Sequence, residues 1–86
     1  MQPGVYAAVQ KNGTHYFRSS VTYRRKHISL GSFSCENEAN RAYVEALALL
    51  ADKTVEISDY NADHTLSFDK FVILCNFRDN GLYISN

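Results

Sequence analysis

The sequence predicts an α+β fold in which a three-stranded antiparallel sheet packs on one α-helix, with a C-terminal extension adding a further strand and a second helix. Three observations carry this. Residues 4–33 alternate apolar and polar positions in three successive runs, and residues 35–51 switch to helical spacing. Eighty-six residues provide for one small domain with a thin core. Residues 1–52 therefore read as the sheet-plus-helix unit and residues 53–86 as an extension packed on the same domain.

In the first run Val5, Ala7 and Val9 alternate with Tyr6, Ala8 and Gln10. Asn12-Gly13 follows, the strongest short hairpin signal, because both central positions of a type I′ turn need positive φ. The second run puts Phe17, Ser19, Val21 and Tyr23 on one face and Tyr16, Arg18, Ser20 and Thr22 on the other. A basic turn, Arg24-Arg25-Lys26, leads to the third, where Ile28 and Leu30 face inward and His27 and Ser29 outward, with Gly31 and Phe33 closing the meander.

Ser34 is the expected N-cap of a helix over residues 35–51, and Glu36 and Glu38 suit its positive end. Ala39, Ala42, Tyr43, Ala46, Leu49 and Leu50 form one apolar stripe whose alanines allow close approach to the sheet. Arg41 and Glu45 are spaced to pair on the wet side. Beyond it, Val55 and Ile57 alternate as a fourth strand would. After Ser67, a second N-cap candidate, Phe68, Phe71, Val72 and Cys75 follow a helical spacing that ends near Asn80-Gly81. A β-prone Phe71–Cys75 strand turning at Asn80-Gly81 is the rival reading.

Neutrality at first argues against nucleic acid, since nine bases balance nine acids. The distribution reverses that argument. Residues 1–35 hold five bases and no acid, whereas residues 36–86 hold four bases and nine acids, so the halves carry +5 and −5. No apolar run is long enough to cross a membrane and the first residues lack signal-peptide features, so the cytoplasm is the expected location. Cys35 and Cys75 are then expected as reduced core thiols. His15, His27 and His64 form no ligand cluster, no Gly-rich phosphate loop is present, and no catalytic motif appears, so neither metal, cofactor nor enzymatic activity is expected. Asp59, Asp63 and His64 read as a solvated loop.

Gly4-Val5, Ile28-Ser29-Leu30-Gly31-Ser32-Phe33 and Glu38-Ala39-Asn40-Arg41-Ala42-Tyr43 together resemble the APETALA2-type DNA-binding domain, over residues 4–50. The family signature is a Gly-Val opening, a Leu-Gly-x-Phe strand end and a Glu-Ala-Ala-x-Ala-Tyr helix. Phe17, Ser19 and Val21 match its Trp-x-Ala-x-Ile strand, with Phe in place of Trp. Plant members are ethylene-response transcription factors, and bacterial and phage relatives are often joined to HNH homing endonucleases. The resemblance implies a bacterial or phage DNA-binding module, with transcription regulation as its setting, whose helix covers one face of the sheet while the other enters the major groove. Tyr6, Ala8 and Gln10 stand where the family carries base-reading arginines and tryptophans on its first strand.

The residues themselves lead to the same surface. With one face under the helix stripe, covering Val5, Ala7, Val9, Phe17, Val21, Ile28 and Leu30, the other shows Tyr6, Gln10, Tyr16, Arg18, Ser20, Thr22, His27 and Ser29. Arg18 suits guanine, Gln10 adenine, and Thr22 a thymine methyl or a phosphate. Lys11, Arg24, Arg25 and Lys26, at the edges of the sheet, suit phosphates. Double-stranded DNA is thus the expected partner. The alternative is a protein-interaction or self-assembly module that keeps the fold without base reading, using the apolar run around Phe71, Ile73 and Leu74 to dock a partner or form a homodimer.

Overall fold

The computed structural model describes residues 3–81, so the last five residues of the extension lie outside the described range. Strands β1 (Val5–Val9), β2 (His15–Tyr23) and β3 (Lys26–Phe33) form an antiparallel sheet in the order β1-β2-β3. Helix α1 (Glu36–Ala51) and helix α2 (Phe68–Asn80) complete the expected α+β arrangement. Helix wins over the strand rival in the extension because Ser67 Oγ accepts the Lys70 N–H and Gly81, at φ +70°, ends the helix by donating its N–H to Phe77 O.

One core serves both parts of the chain. Val21, Ile28 and Leu30 from the sheet, Ala42, Ala46, Leu49 and Leu50 from α1, and Leu66, Phe71, Leu74, Cys75 and Phe77 from the extension form a single buried cluster. Phe71 and Leu74, expected as docking residues, are thereby used up at 1% and 0% exposure, and Ile73 is half-buried beside them. The five-residue apolar run is long because it fills the domain's own core. Cys75 is buried there, and desolvation pushes its thiol pKa up. Cys35 departs from its expected core position: it is exposed and replaces Ser34 as the cap of α1, its Sγ accepting the Glu38 N–H at 3.4 Å.

Each fragment that carries the family resemblance meets another. Gly4 lies at φ +76°, and a methyl group added there would overlap the Tyr43 ring. The Gly-Val opening therefore leaves room for the helix tyrosine. Nearby, Asn40 Nδ2 donates to Pro3 O at 3.2 Å. Ser19, level with Val5 and Gly31 beneath α1, is 1% exposed and its hydroxyl has no hydrogen-bond partner among the described residues. Because an unpaired buried hydroxyl costs free energy, Ser19→Ala is expected to stabilise the fold by about 1 kcal/mol. Urea unfolding reads this directly, and a lower midpoint would show that the hydroxyl is satisfied.

The roof over the sheet is shorter than the alternation implies. Val5, Val21, Ile28 and Leu30 are covered, but Ala7 is exposed, Val9 is 57% exposed and Phe17 only half-buried. These three lie toward the β1–β2 hairpin tip.

Residues 54–58 form no strand. Ile57–Asp59 is a single 3-10 turn, with the Asp59 carboxylate accepting the Glu56 N–H at 2.7 Å. Asp52 accepts the N–H and hydroxyl of Thr54, and these bonds hold its carboxyl below its ordinary pKa. Glu45 does not pair with Arg41. It reaches the other way, accepting the N–H groups of Thr65 and Leu66 at 2.8–3.1 Å. Arg78, 3% exposed, donates to the carbonyls of Leu49, Asp52 and Val55 and to the Asp79 carboxylate. Carbonyls at the end of α1 that helical bonding leaves unpaired are thus served by a residue 26 or more positions away. His64 is also structural, stacked on Tyr60 with ring centroids 5.3 Å apart and edge-on to Phe71.

Candidate nucleic-acid interface

The face of the sheet opposite α1 is built on β2. Register sets Tyr6 against Arg18, Ala8 against Tyr16, Ser20 against Ser29 and Thr22 against His27. Arg18, Ser20 and Thr22 thus run down the middle of the face, with Tyr6 flanking on one side and Ser29 and His27 on the other. Tyr6 and Tyr16 are diagonal neighbours rather than an opposed pair.

Between β2 and β3 the register shifts by one. Ser19 faces Gly31 and Ser20 faces Ser29, so Leu30 is an extra residue, a β-bulge, and Gly31 takes φ +117° beside it. The bulge changes the phase of β3. Leu30 stays inward, Phe33 packs on the core opposite Phe17, and Ser32 comes to lie beside Arg18 on the outer face. Strict alternation places Ser32 inward and therefore misses it. The glycine inside a strand pattern was the available signal.

Most expected contact residues are accessible. Tyr6 is 54% exposed, and Gln10, Lys11, Arg18, Thr22, Arg24, Arg25 and His27 are exposed, with Tyr16 half-buried. Two expectations need correction. Ser20 points to the correct face but is 7% exposed, forming the floor of a depression. Lys26 is not in the turn. It is the first residue of β3, at a register position level with Tyr23, which packs toward the core, so it belongs to the helix side of the rim.

The two turns exchange roles relative to the sequence signals. Asn12-Gly13 does not make a type I′ turn. Gly13 N–H donates to Gln10 O and only Gly13 has positive φ, the pattern of a longer loop built on Lys11, Asn12 and Gly13. The tight two-residue turn is Arg24-Arg25, closed by the Tyr23–Lys26 pair, and both arginines have positive φ, at 51° and 67°. Such backbone costs a non-glycine residue on the order of 1 kcal/mol. The Arg24 guanidinium lies 5.1 Å from the Tyr23 ring, which stands edge-on to Phe77 at 5.5 Å. The turn is thereby anchored to the core while Arg25 stays at its tip.

Electrostatically the face is one-signed. Every Asp and Glu lies in α1, in α2 or in the segment joining them, and none lies in the sheet or its turns. Arg18, Lys11 and Arg25 stand on or beside the outer face, while Arg24 leans over Tyr23 toward Gly81 on the helix side, and none of the four forms an ion pair with another residue of the described chain. Comparison with family models, curated proteins and solved structures returns no match for this chain.

Proposed function

We propose that this chain is a DNA-binding module that lays the outer face of its three-stranded sheet in the major groove and sets its basic turns on the phosphates. The observation that carries the reading is the Arg24-Arg25 turn. Two arginines occupy backbone positions that glycine or asparagine fill without strain, and they are adjacent cations at the rim of a face that holds no acid. Strain retained in a cationic turn points to a use for the charge. A small sheet fits the groove, which is about 12 Å wide, and Arg18 at its centre has the fork geometry for guanine O6 and N7. The APETALA2-type resemblance points to the same face, and the acidic helices lie behind it. The alternative, a docking module, loses support because Phe71 and Leu74 are core residues.

Three cations, Arg18, Lys11 and Arg25, set the expected salt dependence. A log-affinity against log-salt slope of about −2.7 follows, so binding weakens roughly 40-fold between 50 and 200 mM salt. Titration of the full chain into a labelled duplex measures this. Arg18→Ala is expected to weaken binding and to relax the preference among duplex sequences. No retention at 50 mM salt, or affinity indifferent to salt, ends the proposal.

A further inference from the structure

We propose that the depression at the centre of the outer face is a seat for a single phosphate-type oxyanion. For its location it rests on the nucleic-acid reading of that face, but its chemistry is argued from its own lining. The hollow measures about 390 Å³ and is lined by Tyr6, Arg18, Ser19, Ser20, His27 and Ser29, of which all but Ser19, turned toward α1 by its register, place their side chains on this face. Its shape follows from the register: two short serines opposed across β2 and β3 make the floor, and three long side chains around them make the wall. The β-bulge lies directly at the floor, where the pairing passes from Ser20–Ser29 to Ser19–Gly31. Bulges commonly re-aim side chains beside functional sites.

Two observations identify the ligand chemistry. Ser20 is more than nine-tenths buried, its register puts it on the outer face, and its hydroxyl has no hydrogen-bond partner in the described chain. A buried hydroxyl left unpaired costs stability, so one retained at the bottom of an open hollow calls for a ligand atom. The lining side chains are also of one kind. Phenol, guanidinium, imidazole and two hydroxyls can each donate a hydrogen bond, and no carboxylate lines the hollow. A base-pair edge in the major groove sets an amino donor beside its acceptors, and that donor would face the Arg18 guanidinium. A phosphate presents acceptors only, carries the complementary charge, and takes Arg18 as a bidentate partner in place of guanine. The phosphate can come from a nucleic-acid backbone or from a free phosphate ion, and the chemistry at the seat is the same.

The test titrates inorganic phosphate into the isotope-labelled 86-residue chain, following backbone amides by NMR, against chloride at matched ionic strength. Saturable shifts at Arg18, Ser20, His27 and Ser29 are expected, with a dissociation constant on the order of millimolar. Ser20→Ala removes a hydroxyl that makes no bond in the fold, so it should fold normally and weaken phosphate about fivefold. His27→Gln, a surface change, should also weaken it. A short duplex of A·T pairs only, which offers Arg18 no guanine, then separates the sources: displacement of phosphate assigns the seat to the nucleic-acid backbone, and duplex binding with phosphate retained assigns it to the free ion. Shifts that stay linear, that gather only at Lys11 and the Arg24-Arg25 turn, or that ignore Ser20→Ala would mean an adventitious ion only and overturn the seat. Failure of the broader reading looks different. In that case phosphate saturates in a Ser20-dependent way while no duplex binds at 50 mM salt.

Discussion

Replacing Arg78 with methionine is expected to lower the unfolding free energy by about 2–4 kcal/mol, the cost of leaving buried carbonyls without their charged donors. Methionine keeps much of the volume but donates nothing, so the carbonyls of Leu49, Asp52 and Val55 lose charged donors at 3.1, 2.8 and 2.6 Å. Asp79 is half-exposed and can return to water, so the loss lies with the carbonyls. A domain of this size has roughly 4–13 kcal/mol in total, so the variant should melt about 15–25 °C lower. Arg78→Lys should recover only part of this, since one ammonium cannot span three carbonyls and a carboxylate. Urea unfolding of the three proteins is the measurement, and a loss below about 1 kcal/mol would show that the clasp contributes little. The same clasp gives an acid limb. Its hydrogen bond from Arg78 holds the Asp79 carboxyl below its ordinary pKa, so that stabilisation is present above the unfolded value and is lost as pH falls through the folded one.

Exchanging the Arg24-Arg25 turn for Asn-Gly should move stability and binding in opposite directions. Relief of two positive-φ arginines gains about 2 kcal/mol, while loss of the Arg24 contact with the Tyr23 ring costs about 0.5–1 kcal/mol, so strain relief wins. The net expectation is a gain of about 1–2 kcal/mol and a melting point raised by roughly 5–10 °C. If the turn serves DNA as proposed, losing Arg25 at its tip should reduce the salt slope by about 0.9 and weaken duplex binding at 0.1 M salt by roughly 10-fold. A variant that gains stability and binds as tightly as before would show that the arginines serve no nucleic acid. One that loses stability would show that the turn is not strained.

The sequence made the helices and the sheet legible because periodicity reports burial, and burial is what the core demands. Ala39, Ala42 and Ala46 recur at helical spacing and are all buried, and the β2 alternation predicts which side Arg18 takes. What escaped was set by single backbone angles and distant partners. Asn12-Gly13 carries the stronger local signal for a tight turn, yet the two-residue turn is Arg24-Arg25, whose propensity points elsewhere. The bulge at Leu30 inverts the phase of Ser32 and Phe33, which no two-residue period can anticipate. Val55 and Ile57 alternate as a strand would, but Asp52 and Asp59 satisfy the local backbone and Arg78 takes the Val55 carbonyl. That partner lies 23 positions on, and nothing in the residues around Val55 announces it. The candidate face was legible as a set of side chains. Its hollow was not, since the depth at Ser20 depends on neighbours drawn from all three strands.

The clasps on residues 53–66 have a consequence for how the molecule moves. Leu66 is the one fully buried side chain described in that stretch, Val55, Tyr60 and His64 rest on the core beside it, and Glu45 and Arg78 fasten its two ends by hydrogen bonds. Most of its residues are exposed, and a segment with so few fully buried side chains can open at a free energy below that of global unfolding. The sheet is held by the shared apolar core and cannot follow it cheaply. Fluctuations of this loop are therefore insulated from the strands, and the outer face keeps its geometry while the far side of the domain breathes.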